Sequence, residues 1–125
     1  PRVQVVVPHC GSFLPNVARR IEGAQPILEK VHMMGHVDVP ANLARLWFDT
    51  AGDSVPDLLP LLLTITVPDH VLFGSDYPFT PRSQTLANIR RLQEFLASDR
   101  RLAKHADDIL DNNARKLLTA AGALR

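Results

Sequence analysis

Two polar residues, His9 and Asp76, each follow a short apolar run and are candidates for acid–base or metal chemistry. His9 comes just after Val3 to Val7, and Asp76 comes just after Val71-Leu72-Phe73-Gly74-Ser75. An apolar run without alternation is typical of a strand buried on both faces, and α/β enzymes keep their reactive groups just past the carboxyl ends of such strands. An imidazole or a carboxylate there could bind a divalent metal or move a proton. The alternative is a structural role, in which His9 bonds neighbouring backbone and Asp76 stabilises the turn before Pro78.

A third polar pair, Asp49-Thr50, follows the apolar run Leu46-Trp47-Phe48 and precedes Ala51-Gly52. Asp and Thr readily bond local backbone groups, so turn stabilisation is the favoured interpretation here. Cys10 is interpreted as a small buried hydrophobe rather than a nucleophile, because no positive partner is close to it in the sequence. The other histidines are interpreted as surface or packing residues: His32, His36, His70 and His105.

The elements around these residues alternate between strand and helix, which predicts an α/β fold with parallel strands. Apolar residues at three- and four-residue spacing predict the helices. The predicted helices are Phe13 to about Glu22, ended by Gly23; Gln25 to Met34; Asp53-Ser54 to about Thr66; Gln84 to Ala97; and Arg100 to Ala121 with a break near His105 to Asp107.

Composition narrows the class of protein. A chain of 125 residues with 46% hydrophobic and 22% charged residues is expected to form one compact globular domain. Its 14 basic and 13 acidic side chains leave a net charge of +1, which provides no field to concentrate nucleic acid or an anionic membrane. No apolar stretch is long enough to span a membrane. A single cysteine and the lack of a recognisable leader favour the reducing cytoplasm.

The position of the first apolar run suggests that the fold is incomplete. A strand with apolar residues on both faces needs neighbours on both sides, and each parallel neighbour needs a crossover connection. The run begins about two residues from the first residue, Pro1. We therefore expect this chain to be the back part of something longer, or a piece that must associate with another chain.

Four ordered motifs give the chain a family resemblance. They are Val-Pro-His9-Cys-Gly-Ser-Phe-Leu-Pro, Phe48-Asp-Thr-Ala-Gly52, Leu72-Phe-Gly-Ser-Asp76-Tyr-Pro-Phe79 and Ile109-Leu-Asp-Asn-Asn-Ala-Arg-Lys-Leu-Leu118. Together they resemble the closing third of the amidohydrolase-related proteins, closest to the branch of aminocarboxymuconate-semialdehyde and aromatic-acid decarboxylases. The segment from Gln25 to Arg45 matches least.

The resemblance implies a partial (β/α)₈ TIM barrel. Residues 1–125 would form one partial amidohydrolase-like barrel domain of three parallel βα units, the last of the barrel, plus C-terminal helices. Asp76 matches the aspartate that binds a catalytic divalent metal, zinc or manganese, and His9 matches an acid–base histidine near the metal-bound water or substrate. Asp49 and Thr50 match a recurrent marker of no assigned role, and Ser12 stands where relatives often have glycine.

The sequence lacks several metal-binding residues of the family, and the leading hypothesis follows from this. The His-x-His pair and the further metal histidine of the family have no counterpart, so the chain alone should hold metal weakly, or not at all, and should be inactive. We expect the C-terminal portion of a metal-dependent enzyme whose reaction is the non-oxidative decarboxylation of an aromatic or unsaturated carboxylic acid, a small molecule, with hydrolysis as the second candidate reaction. It would form a homo-oligomer or associate with a missing barrel half. The rivals are a non-catalytic fragment that oligomerises through open strand edges, and an unrelated α/β binding domain with His9 and Asp76 far apart.

Overall fold

A parallel three-stranded sheet organises the computed structural model, which describes residues 3–124. Its strands are β1 (Val6–Val7), β2 (Trp47–Asp49) and β3 (Val71–Leu72), and β2 lies between the other two. Both pairings are parallel. The predicted α/β class with three parallel βα units is therefore confirmed.

Helices connect and flank these strands. The α-helices are α1 (Leu14–Lys30), α2 (Val39–Leu43), α3 (Leu58–Leu62), α4 (Arg82–Ser98) and α5 (Asn113–Ala120). Short 3₁₀ turns cover His9–Gly11, Pro68–His70 and Ala103–His105, and a π-helical turn covers Asp108–Asn112. No helix in the described part of the chain is both long and apolar enough to cross a membrane. The prediction for α4 is confirmed, and so is the broken C-terminal helix.

The first helix differs from the prediction. The sequence predicts two helices separated at Gly23, whereas α1 runs without interruption through both Gly23 and Pro26. A glycine inside a helix costs only about 1 kcal/mol relative to alanine, so it does not by itself end one. Pro26 is costlier, but Gln25 beside it is buried and its amide donates to Glu29 at 2.6 Å. Burial of Gln25 and its bond within α1 thus offset the local helix-breaking signals.

The third helix is also shorter than predicted. The sequence predicts a helix from Asp53-Ser54 to Thr66, whereas α3 covers only Leu58–Leu62. Proline disfavours the helical conformation of the residue before it, and residues 55–57, around Pro56, form a turn instead of the first turn of a helix. The carbonyl of Ser54 accepts the backbone N–H of Leu59 at 2.8 Å, which joins this turn to the helix.

The core lies between the sheet and the helices packed against it. Its fully buried members come from β2, β3, α3, α4 and the π-helical turn: Phe48, Leu59, Leu62, Val71, Leu96 and Ile109. The first strand does not meet the expectation of burial on both faces. Val3 is 84% exposed and Val6 is 40% exposed, and within residues 3–124 β1 pairs only with β2. Its outer edge is open.

Candidate functional site

His9 lies in a left-handed turn immediately after β1. His9, Cys10, Gly11 and Ser12 all have positive φ, between 51° and 81°. A residue other than glycine in this left-handed conformation costs about 1–2 kcal/mol. Such residues persist where the surrounding structure holds them, and they are common at functional sites. A Cβ at Gly11 would lie 3.2 Å from Cδ1 of Phe48, so the turn packs directly on the core. The His9 side chain, by contrast, is exposed.

Asp49, at the end of β2, holds this turn in place. Its Oδ1 accepts the backbone N–H of His9 at 2.9 Å and the backbone N–H of Ala51 at 3.0 Å. The His9 ring is close to the same loop, since its Nδ1 lies 3.2 Å from the carbonyl oxygen of Ala51. The predicted turn role of Asp49 is therefore confirmed. The carboxylate also joins the loop after β2 to the turn after β1, which local sequence alone does not indicate.

Thr50 connects β2 to β3. Its side chain is almost fully buried, and its Oγ1 accepts the backbone N–H of Gly74 at 3.2 Å. Gly74 is packed closely, because a Cβ there would lie 3.1 Å from both the Ala51 nitrogen and Cγ of Asp49. Asp49 and Thr50 thus fix all three strand ends relative to one another.

Asp76 follows β3 with a φ of 61°, also left-handed. Its partly buried carboxylate accepts the Thr80 hydroxyl at Oδ2, 2.6 Å away, and its carbonyl accepts the Thr80 N–H at 2.9 Å. Sequence reasoning missed Thr80. The signal for it is its place four residues after Asp76, within one turn.

The parallel pairings place His9 and Asp76 at the same end of the sheet. Each follows the carboxyl end of an outer strand, β1 or β3, and β2 lies between them. Strands in a sheet lie about 4.8 Å apart, so the strand ends that carry the two residues are roughly 10 Å apart. A small molecule bound at this end could reach both side chains.

Cys10 shares the left-handed turn but has no reactive character. The residue is 2% exposed. Burial, followed by the charge of Asp49, raises the pKa of the Cys10 thiol to about 12. The thiolate is the nucleophilic form of cysteine. The interpretation of Cys10 as a packing residue is confirmed.

Two further histidines outside the strand-end site have structural partners, as expected. His70 stacks on Trp47 with ring centroids 4.5 Å apart, and its Nδ1 lies 2.9 Å from the Leu46 carbonyl. His36 contacts Glu29, with 3.1 Å between Nδ1 and Oε1. Hydrogen bonds from Gln25 and His36 lower the pKa of Glu29.

A different group of metal-ligating side chains lies away from these strand ends. One ligand atom from each of Asp69, His105 and Asp108 falls within 4.8 Å of the others. These residues belong to the turn before β3 and the turns after α4, so they lie toward the amino end of β3. His105 contacts Asp69 at 3.5 Å, and Lys116 contacts Asp108 at 3.6 Å. Lys116 thus already pairs with one carboxylate of this cluster, and the cluster does not include Asp76.

A cleft of about 330 Å³ lies between α1, α2 and the segment after α3, and neither His9 nor Asp76 lines it. Its walls are mostly apolar and include Pro15, Val39 and Ile65. The candidate site therefore rests on the strand ends and not on this cleft.

Comparison with known proteins agrees with this arrangement of strand ends. The model of a family described as amidohydrolase matches residues 1–119. The chain is 30% identical over 86 residues to a 6-methylsalicylic acid decarboxylase of Penicillium expansum, covering 69% of this chain and 26% of that protein. It is 31% identical over 98 residues to a 6-methylsalicylic acid decarboxylase of Aspergillus aculeatus, covering 76% of this chain and 30% of that protein. The matched part is thus less than a third of either relative.

Solved structures share the fold. A crystal structure described as an amidohydrolase II has 35% sequence identity and a TM-score of 0.72, covering 94% of this chain and 35% of the solved one. The 5-carboxyvanillate decarboxylase of Sphingomonas paucimobilis has 18% identity and a TM-score of 0.77, with 95% and 34% covered. At that identity the likeness of the second structure concerns the fold alone. The family match over nearly the whole chain, with the motif residues at the carboxyl ends of parallel strands, identifies this chain as a member of the amidohydrolase family.

Proposed function

We propose that this chain is the C-terminal part of a metal-dependent amidohydrolase whose whole barrel decarboxylates an aromatic or unsaturated carboxylic acid without oxidation. Residues 1–125 would form one partial barrel domain. The observation that carries the proposal is the placement of His9 and Asp76 past the carboxyl ends of β1 and β3 in one parallel sheet. The names of the two fungal relatives support decarboxylation rather than hydrolysis.

Asp76 is suited to supply part of a metal site. Its carboxylate is partly buried, and the Thr80 hydroxyl bound to Oδ2 orients it, as outer-shell groups commonly orient metal ligands. One carboxylate is fewer than the three or four ligands that zinc takes, so further ligands would come from outside residues 3–124. A divalent metal, zinc or manganese, would polarise substrate oxygens when bound.

His9 would handle the proton. In a non-oxidative decarboxylation the bond between the substrate carbon and its carboxylate breaks, carbon dioxide leaves, and the electron pair remains on the substrate carbon. That carbon then takes up a proton. An exposed imidazole at the strand ends can hold and deliver a proton, whereas Asp76 would anchor the opposite side of the same opening.

The test needs a polypeptide that contains a whole barrel. We would join this chain to the first five βα units of an amidohydrolase relative and measure carbon dioxide release from 6-methylsalicylate and other aromatic acids. We expect Asp76→Asn and His9→Gln each to lower turnover at least about 100-fold, the usual scale for acid–base groups. His32→Gln and Asp69→Asn, outside the strand-end site, should leave turnover unchanged. Full activity of the Asp76→Asn protein would contradict the proposal.

A second candidate function is non-catalytic, and a specific observation favours it. The open edge of β1 and the apolar residues exposed near it, Val3, Val5 and Val6, would be covered if copies of the chain associated. In that case the chain would form an oligomer without a stoichiometric metal. Size-exclusion chromatography combined with a metal assay separates the two candidates.

A further inference from the structure

The contacts of Asp49 suggest a role beyond turn stabilisation. We propose that Asp49 is a positioning residue: by holding the turn that carries His9 against the Ala51 carbonyl, it selects the tautomer with the proton on Nδ1 and leaves Nε2 unprotonated toward the site. The inference rests on the proposed function in that it assigns which nitrogen of His9 would exchange protons with substrate.

The first step is the identity of the ring partner. Nδ1 of His9 lies 3.2 Å from the carbonyl oxygen of Ala51. A carbonyl oxygen can only accept a hydrogen bond, so in neutral His9 the Nδ1 must be the donor. Free imidazole side chains in water prefer the proton on Nε2, and this contact therefore works against the intrinsic preference. Which nitrogen is free to act is set by the bond that the other makes.

The second step is what keeps the Ala51 carbonyl in place. Asp49 Oδ1 binds the backbone N–H of Ala51 and the backbone N–H of His9 together, at 3.0 and 2.9 Å. One carboxylate oxygen therefore sets the position of both partners of the ring contact. Without it, the left-handed backbone at His9, with φ of 54°, would lose the bond that holds it.

The third step concerns the loop beyond Ala51. Gly52 has a φ of 79°, a conformation that side chains rarely adopt, and a Cβ on it would lie 3.6 Å from Nδ1 of His9. There is room for that Cβ beside the ring, but the backbone conformation would be strained. Gly52→Ala thus disturbs the Ala51 carbonyl while leaving the Asp49 carboxylate intact.

The experiment reads the tautomer directly in the chain itself. Long-range ¹H–¹⁵N spectra of the 125-residue chain above pH 8 distinguish protonated Nδ1 from protonated Nε2, and His32 serves as an internal reference. We expect His9 to be mainly the Nδ1–H tautomer in the unaltered chain. In Asp49→Ala the Nε2–H form should become the major one. Asp49→Asn, which keeps an oxygen acceptor of the same size, should retain most of the Nδ1–H form.

The control is Asp53→Ala, which removes a nearby carboxylate that pairs with Arg91 at 2.8 Å and has no contact with His9. If Asp53→Ala lowers the stability of the chain without changing the His9 tautomer, a loss of stability alone does not explain a tautomer change in Asp49→Ala. If Asp49→Ala does not fold, the His9 tautomer is measured in Gly52→Ala instead. We expect the Nδ1–H population of His9 to fall in that variant. An Nε2–H tautomer in the unaltered chain, or an unchanged tautomer in the folded variant, would overturn the inference. Because no turnover is measured, its failure is distinct from failure of the proposed decarboxylation.

Discussion

At the scale of single residues, backbone strain is concentrated where the chemistry is expected. Within the described part of the chain, five residues other than glycine have positive φ, and four of them, His9, Cys10, Ser12 and Asp76, lie in the two candidate turns. Strain of this kind persists only when surrounding contacts hold it, and it is common at active sites. The Asp49 and Thr80 contacts are such restraints. This concentration of strain supports the roles that we propose for His9 and Asp76.

Ser12 provides a residue-scale test of this strain. It has φ of 52° and ψ of −116°, a region that glycine adopts readily and other residues avoid. Among residues 3–124 its hydroxyl makes one long bond, 3.3 Å to the Pro8 carbonyl. We expect Ser12→Gly to raise the free energy of unfolding by about 1 kcal/mol, measured by urea denaturation.

The matched control is Ser98→Gly. Ser98 lies in the last turn of α4, where glycine should lower the free energy of unfolding by about 0.5–1 kcal/mol. The two substitutions are chemically identical and should have opposite signs. Equal destabilisation by both would mean that the turn after β1 does not need the left-handed conformation.

At the scale of elements, the sequence predicts strongly periodic helices well. It predicts contacts between residues that are distant in the chain poorly. α4 was predicted within about two residues at each end because its apolar stripe is unbroken. The predicted division of α1 at Gly23 is wrong, because Gly23 and Pro26 weigh more in the local pattern than the i, i+4 pair Gln25 and Glu29, which bond within the continuous helix. The same holds for the site. The strand-end positions of His9 and Asp76 follow from the pattern, but the bonds of Asp49 depend on the pairing of β1 with β2.

Asn113 makes the clearest contact between elements. It is fully buried at the start of α5, and its Nδ2 donates to the Pro68 carbonyl at 2.9 Å and to the Val71 carbonyl at 2.8 Å. These bonds join the C-terminal helix to the beginning of β3. The role explains why an asparagine in the last of the four motifs occupies a core position.

We expect Asn113→Ala to lower the free energy of unfolding by about 1–3 kcal/mol, because it removes both bonds of a buried amide and deprives the buried Val71 carbonyl of this donor. The neighbouring Asn112 is exposed, and within the described part of the chain its side chain bonds only Asp108, so Asn112→Ala should change stability by less than about 0.5 kcal/mol. Urea denaturation of both variants measures the difference. Similar effects at the two positions would show that the amide is not the link between α5 and β3.

At the scale of the whole molecule, the open sheet edge is the dominant feature. Within residues 3–124, β1 and β3 each pair on one side only, and Val3, Val5 and Val6 lie exposed along or next to the outer edge of β1. An exposed apolar edge is a template for pairing with another chain. Either the remainder of a barrel or a second copy of the chain could pair with this edge. We therefore expect the isolated chain to associate with itself.

Val6→Lys tests that expectation. Val6 lies within β1 and is 40% exposed, so a lysine there can reach solvent in the single chain but places a charge where another strand would pack. We expect the elution volume of the unaltered chain to depend on concentration. The variant should need at least about tenfold more protein for half association, which corresponds to about 1.4 kcal/mol.

Val67→Lys is the matched control, because Val67 is 56% exposed but lies before the turn that leads into β3, away from the edge of β1. A lysine there adds the same charge and the same solubility without touching the edge. If both variants weaken association equally, net charge rather than edge pairing drives it. If neither does, the copies meet through another surface, such as the exposed Phe13 and Phe79 beside the strand ends, and association would then cover His9 and Asp76 rather than complete the sheet.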